Sequence, residues 1–239
     1  EAELEATLAA FFSDQEETET QQNPQCAFVA RYHWLKSELD FDATRLPPRA
    51  CRRFEEWRAA LNARELTLVF PAAYLNSPAS MYGHTLLRID GAGQDERTRL
   101  LAHSISYAAA TNETSGLLFA IKGLVGGYSG VFSVVPYYAK VKEYNDLENR
   151  DIWEYRLDFT QSEVDRVLMH AWELRPIRFD YYFFDENCSY HLLSLLDVGR
   201  PGLHVVDHFP MWAIPLDTVR AVDSKGLVKD IVYRPSRGA

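Results

Sequence analysis

The chain has 239 residues, 47% of them hydrophobic and 13% aromatic, with a formal net charge of −9 and a pI near 5.3. That supports one large domain or two small ones with a sizeable core, and it argues against nucleic acid as a partner, which needs a basic face. No window reaches the roughly 18 consecutive apolar residues of a membrane helix.

The opening Glu1-Ala2-Glu3-Leu4-Glu5 lacks the basic-then-apolar order of a secretion signal, as expected of a chain already processed or trimmed at both ends. Leu4, Leu8, Phe11 and Phe12 predict a helix over 4–20, which a polar run to Pro24 ends. Phe28, Tyr32, Leu35 and Leu39 predict a second over 27–39, and Phe54, Trp57 and Leu61 a third over 49–61. A strand is expected at 65–70, a loop at 72–83, a strand at 84–90, a turn at 91–95 and a strand at 100–108. A short helix over 117–124 and a glycine loop at 125–130 follow, then strands at 131–141 and 151–158. Glu148-Asn149-Arg150-Asp151 reads as a salt-bridged turn. Thr160 with Glu163 marks a capping box, for a helix that runs to Leu174 and stops before Pro176. The aromatic run 181–184 reads as a strand, Cys188 opens a helix, and a helix at 216–222 and a strand at 228–233 close the chain. The expected fold is α+β with a mostly antiparallel sheet, residues 1–64 forming a helical region packed on a core of 65–239 in a single domain.

The chain has three cysteines. Cys26 and Cys51 lie close together between predicted helices, and Cys188 is remote. In an oxidising compartment the near pair is expected to be bridged and the third left as a reactive thiol. At a helix start, unpaired N–H groups and the helix dipole favour thiolate over thiol, which makes Cys188 a candidate nucleophile. His84 opens a strand beside a loop and is the candidate base. His103 on the next strand is the candidate group that orients it, with Ser106 as a weaker one. A metal reading would enlist Cys188, His191, His204 and His208, but no compact ligand motif is present, so no metal is expected. Ser77 and Ser80 lack the strand–serine–helix elbow of a serine hydrolase.

Asn187-Cys188 at a helix start, after a histidine-led strand, resembles the circularly permuted branch of the NlpC/P60 papain-like superfamily, to which lecithin–retinol acyltransferase belongs. A closer resemblance is to the periplasmic domain of the Lnb-type lipoprotein N-acyltransferases. It rests on the runs 76–85, 122–128, 136–155 and 186–191, which hold Ser80-Met81-Tyr82-Gly83-His84, Lys142-Glu143-Tyr144-Asn145 and Glu186-Asn187-Cys188-Ser189-Tyr190-His191. The resemblance implies Cys188, His84 and His103 as catalytic residues, and Asn187, Tyr82, Ser80 and His191 as oxyanion or substrate contacts. It also implies a phospholipid or diacylated lipoprotein as substrate, a membrane surface as partner, a monomer, and no cofactor. Apolar residues of 117–125 with the glycine loop are candidates, on composition, for an acyl groove or a membrane-facing lip. A cell-wall cysteine peptidase or amidase, and a non-catalytic envelope module, stand as alternatives.

Overall fold

A computed structural model describes residues 2–18, 20–72, 84–110, 122, 126–182, 187–209 and 214–236. They include seven strands, β1 (Ala63–Pro71), β2 (Leu86–Gly91), β3 (His103–Ala110), β4 (Tyr128–Pro136), β5 (Ile152–Leu157), β6 (Arg178–Tyr181) and β7 (Val228–Arg234). The strands form a single sheet, antiparallel throughout, in the order β6-β4-β3-β2-β1-β5-β7. β1 and β2 are central and buried on both faces, so their sequences run nearly unbroken in apolar residues.

One face is covered by helices and forms the main core. Its strand residues include Leu66, Leu68, Phe70, Leu87, Ile89, Ile105 and Tyr107. Over them lie the helices at Gln161–Leu174, Cys188–Gly199 and Pro215–Ser224. The first of these buries Val164, Val167, Leu168, Ala171 and Trp172, an i, i+3, i+4, i+7, i+8 stripe. It opens where Glu163 Oε2 accepts the Thr160 N–H at 2.7 Å.

The other face differs from the sequence expectation. The strand expected to reach residue 141 stops at Pro136 and becomes a helix, Tyr137–Val141, continued by a π-helical turn, Lys142–Leu147. Tyr137, Val141 and Tyr144 recur at helical spacing and bury against Val69, Leu86, Ala102 and Ile152. The β-branched run before Pro136 had masked that period. The same strand begins at Tyr128, inside the stretch expected to be a glycine loop. Gly130 is there because Tyr107 lies across it: an added Cβ would meet the Tyr107 hydroxyl at 1.9 Å.

Under this second face lies a buried charged layer. Arg88 Nε donates to Asp90 Oδ1 at 2.7 Å and its Nη1 to Glu154 Oε2 at 2.6 Å, while the Tyr137 hydroxyl donates to Glu154 Oε1 at 2.7 Å. Arg150, expected in a salt-bridged turn, does pair with Glu148 at 2.8 Å. It is also buried, donating to the Pro71 and Ala72 carbonyls at the end of β1.

The N-terminal region is helical, but its first helix, Ala2–Ala10, is shorter than expected, since 13–18 are irregular and polar. The second is broken at Phe28 into Pro24–Ala27 and Val29–Leu39. A further helix, Arg52–Leu61, follows Cys51. Cys26 and Cys51 are bonded to each other. The Trp172 indole N–H donates to the Cys26 carbonyl at 2.9 Å, so the bridge also ties this region to the core. Replacing both cysteines by serine is expected to lower stability by about 3 kcal/mol, for a cross-link across a separation of 25 residues, as read by urea unfolding. Among the described residues no helix is long and apolar enough to cross a membrane.

Candidate active site

Two local devices meet at one end of the sheet. The first is the start of the helix Cys188–Gly199. Asn187 is its N-cap: its side-chain oxygen accepts from Ser189 N at 3.0 Å and Tyr190 N at 3.3 Å. This places Cys188 in the first turn, with the dipole of a 12-residue helix behind it. The second device is the approach to β2. Thr85 is buried, and its hydroxyl lies 3.0 Å from that of Ser189. The chain just before β2 is thereby held against the helix start, with His84 beside the sulfur.

Cys188 is a free thiol, 4% exposed. Burial pushes its pKa up. The charge and hydrogen bond of His84, with further bonds from the Thr85 N–H and the Ser189 hydroxyl, outweigh burial and bring it down to about 7. The Ser189 hydroxyl is 3.9 Å from the sulfur. A relay in which Thr85 donates to Ser189, and Ser189 to the thiolate, satisfies both contacts. Sequence reasoning did not single out Thr85 or Ser189, although each directly follows a residue it had chosen.

His103 does not orient His84. β2 and β3 pair Ile89 with His103, so His103 stands five positions, or about 16 Å, along β2 from His84. It lines a separate cavity with Trp57, Phe132 and Arg175. Continuing the register sets Ala108 level with His84, so Ser106 also falls short of it. Among the described residues the ring beside His84 is Tyr144, with centroids 6.0 Å apart. Tyr144 is carried by the π-helical turn, a geometry that recurs at functional sites. Its phenol is pushed well above its ordinary pKa by burial and then by the neighbouring Glu143 charge. The Arg150 guanidinium lies 4.9 Å from its ring centre and Lys140 Nζ 5.5 Å.

His191, expected at the substrate, is a core ring instead. It lies 4.0 Å from the Tyr107 ring and 5.1 Å from that of Phe179, and burial lowers its pKa to about 4, so it is neutral at physiological pH. Asn187 has its side-chain oxygen committed to capping. Ser80 and Tyr82 lie outside the described residues, as do most of the loop at 72–83, nearly all of the helix expected over 117–124 and most of the aromatic run at 181–184. Among the described residues no three His, Cys, Asp or Glu side chains gather as a metal site requires.

Fold and site together define an α+β domain in which a free thiol at a helix start is paired with an imidazole, and which carries elsewhere a bridged cysteine pair of the kind found in oxidising compartments. Residues 53–225 match the family described as the Lnb N-terminal periplasmic domain, and the chain belongs to that family. It is therefore a periplasmic domain of the cell envelope. Residues 1–38 match a second family, a domain of unknown function (DUF7843). No curated protein and no solved structure matches the chain.

Proposed function

We propose that this domain is a thiol-dependent acyltransferase of permuted NlpC/P60, papain-like fold. It moves a fatty acyl chain from a phospholipid or diacylglyceryl ester to an amine, the N-terminal cysteine of a bacterial lipoprotein. The observation that carries the reading is a thiol brought to about 7 by His84 at a helix start, in a chain of a periplasmic Lnb family.

In the first step the Cys188 thiolate attacks the ester carbonyl. The carbonyl oxygen takes the negative charge and meets the Cys188 backbone N–H, one of the amides a first helical turn leaves unpaired. The tetrahedral species collapses to a thioester, and the alkoxide leaves with a proton from the His84 imidazolium. In the second step the acceptor amine attacks the thioester. His84 takes the amine proton, the amide forms, and the thiolate is released. No cofactor enters either step. The domain works as a monomer at a membrane surface, and Tyr144 takes the place that His103 was expected to fill against the His84 ring.

The test is intact mass after incubation with phospholipid vesicles. The wild type is expected to gain one acyl group, lost on hydroxylamine treatment, and Cys188→Ser is expected to gain none that hydroxylamine removes. No adduct and no lipid turnover, in a membrane-anchored form as well, would overturn the reading.

A further inference from the structure

At the end of the sheet that carries the site, one row of side chains crosses four strands on the helix-covered face. Val69 pairs with Leu86, so the next level sets Phe70 beside Thr85. Phe70 pairs with Trp153, and Trp153 with Tyr233. Cross-strand partners share a face, so the order outward from the nucleophile is Thr85, Phe70, Trp153, Tyr233. Exposure climbs along it: Phe70 is 9% exposed, Trp153 37% and Tyr233 46%. The last two rings pack tilted against each other, centroids 4.6 Å apart, and the Tyr233 hydroxyl donates to Asp151 Oδ2 at 3.0 Å. The outer ring is thus held in place with its polar tip turned to a carboxylate.

We infer that this aromatic row is the seat of the acyl chain in the thioester and its ester precursor. The inference rests on the acyl-transfer reading above and gives that site its chain-binding track. An acyl carbonyl at Cys188 has its chain beginning next to Thr85, which bonds to the residue after the nucleophile. Three strand spacings from Thr85 to Tyr233 give about 14 Å of track. One leaflet of a bilayer is about 15 Å of hydrocarbon, half of a core of ~30 Å, so the row matches one lipid chain in length. The rings give a broad apolar floor at low side-chain entropy cost. The open outer end lets the chain enter sideways from the edge strand β7 rather than thread a tunnel.

The experiment measures nitrophenolate release from p-nitrophenyl butyrate, octanoate and dodecanoate, all presented in the same detergent micelles. For the wild type the rate is expected to rise on the order of tenfold from butyrate to dodecanoate, a fraction of full methylene burial because one side of the track is open. Trp153→Ala is expected to flatten that rise to within about twofold. Tyr233→Asp is expected to reduce it, and Tyr233→Leu, which keeps the row apolar, to preserve it. A Cys188 alkylation midpoint that stays near pH 7 verifies that each variant is folded. A rise that survives both Trp153→Ala and Tyr233→Asp overturns the track alone. Wild-type protein that releases no nitrophenolate from any ester overturns the acyl-transfer reading and this inference with it.

Discussion

Replacing His84 with alanine is expected to move the pH midpoint of Cys188 alkylation by iodoacetamide from about 7 to about 9, past the ordinary thiol value of about 8.5. The sign follows from what remains. Burial still opposes the charged sulfur, while the charge and hydrogen bond that outweighed burial are gone. The Thr85 N–H, the Ser189 hydroxyl and the helix start are left, worth less than a full positive charge beside the sulfur. At pH 7 the thiolate population then falls about fiftyfold for a shift of two units. A more basic thiolate is the better nucleophile, which returns up to about a factor of ten, so the net loss in alkylation rate at pH 7 is about five- to tenfold. The midpoint is therefore the clearer readout. Thioester formation loses more, by roughly 10²- to 10⁴-fold, because the proton donor to the leaving group goes as well. A midpoint that stays near 7 would show that the helix start and Thr85 suffice without the imidazole.

Arg88→Met is expected to destabilise the domain by about 3 to 5 kcal/mol at pH 7, the cost of removing one partner from a buried ionic cluster. Arg88 is fully buried and holds two carboxylates, Asp90 and Glu154, at 2.7 and 2.6 Å. Burial pushes the Glu154 carboxyl up, but the Arg88 charge and hydrogen bond, with the bond from Tyr137, hold it below its ordinary value. A carboxyl with a depressed folded pKa stabilises above its unfolded value, about 4.3, and that contribution is lost as pH falls through the folded value. In Arg88→Met the order reverses, because a buried carboxyl without its cation prefers the proton. The difference between wild type and variant should therefore shrink as pH is lowered from 7 towards 4. Urea unfolding at those two pH values measures it, and a difference that stays constant would mean that the cost lies in packing alone.

What could be read from sequence divides by range. The helix at Cys188 and the helix after Thr160 are announced by caps within three residues of their starts, a local signal. Strands β1, β2, β3, β5 and β7 carry enough apolar and β-branched residues to stand out. The helical turn at 137–147 did not, because Tyr137, Val141 and Tyr144 follow directly on the strand residues Val134 and Val135. The level of one residue against another across the sheet was beyond reach. His103 looked close to His84 because it lies on the adjoining strand, but antiparallel pairing sends it to the far end of β2. The same ignorance of level hid Tyr144 from view and hid the row of Phe70, Trp153 and Tyr233, which come from three separate parts of the chain. His191 shows the limit of helical spacing: three residues after Cys188, its ring is packed in the aromatic core rather than at the substrate.

The distance in sequence between His84 and Cys188 bears on how the chain matures. In an unfolded chain Cys188 is an ordinary thiol with a pKa near 8.5, protonated and slow to exchange at neutral pH. The sulfur is activated only when β2 and the helix have docked, and by then it is enclosed. Reactivity thus arrives after the hazard has passed, since Cys26 and Cys51 are the nearer neighbours in sequence and can close on each other first. A secreted chain that must keep one cysteine reduced while oxidising two others gains that order of events from topology alone.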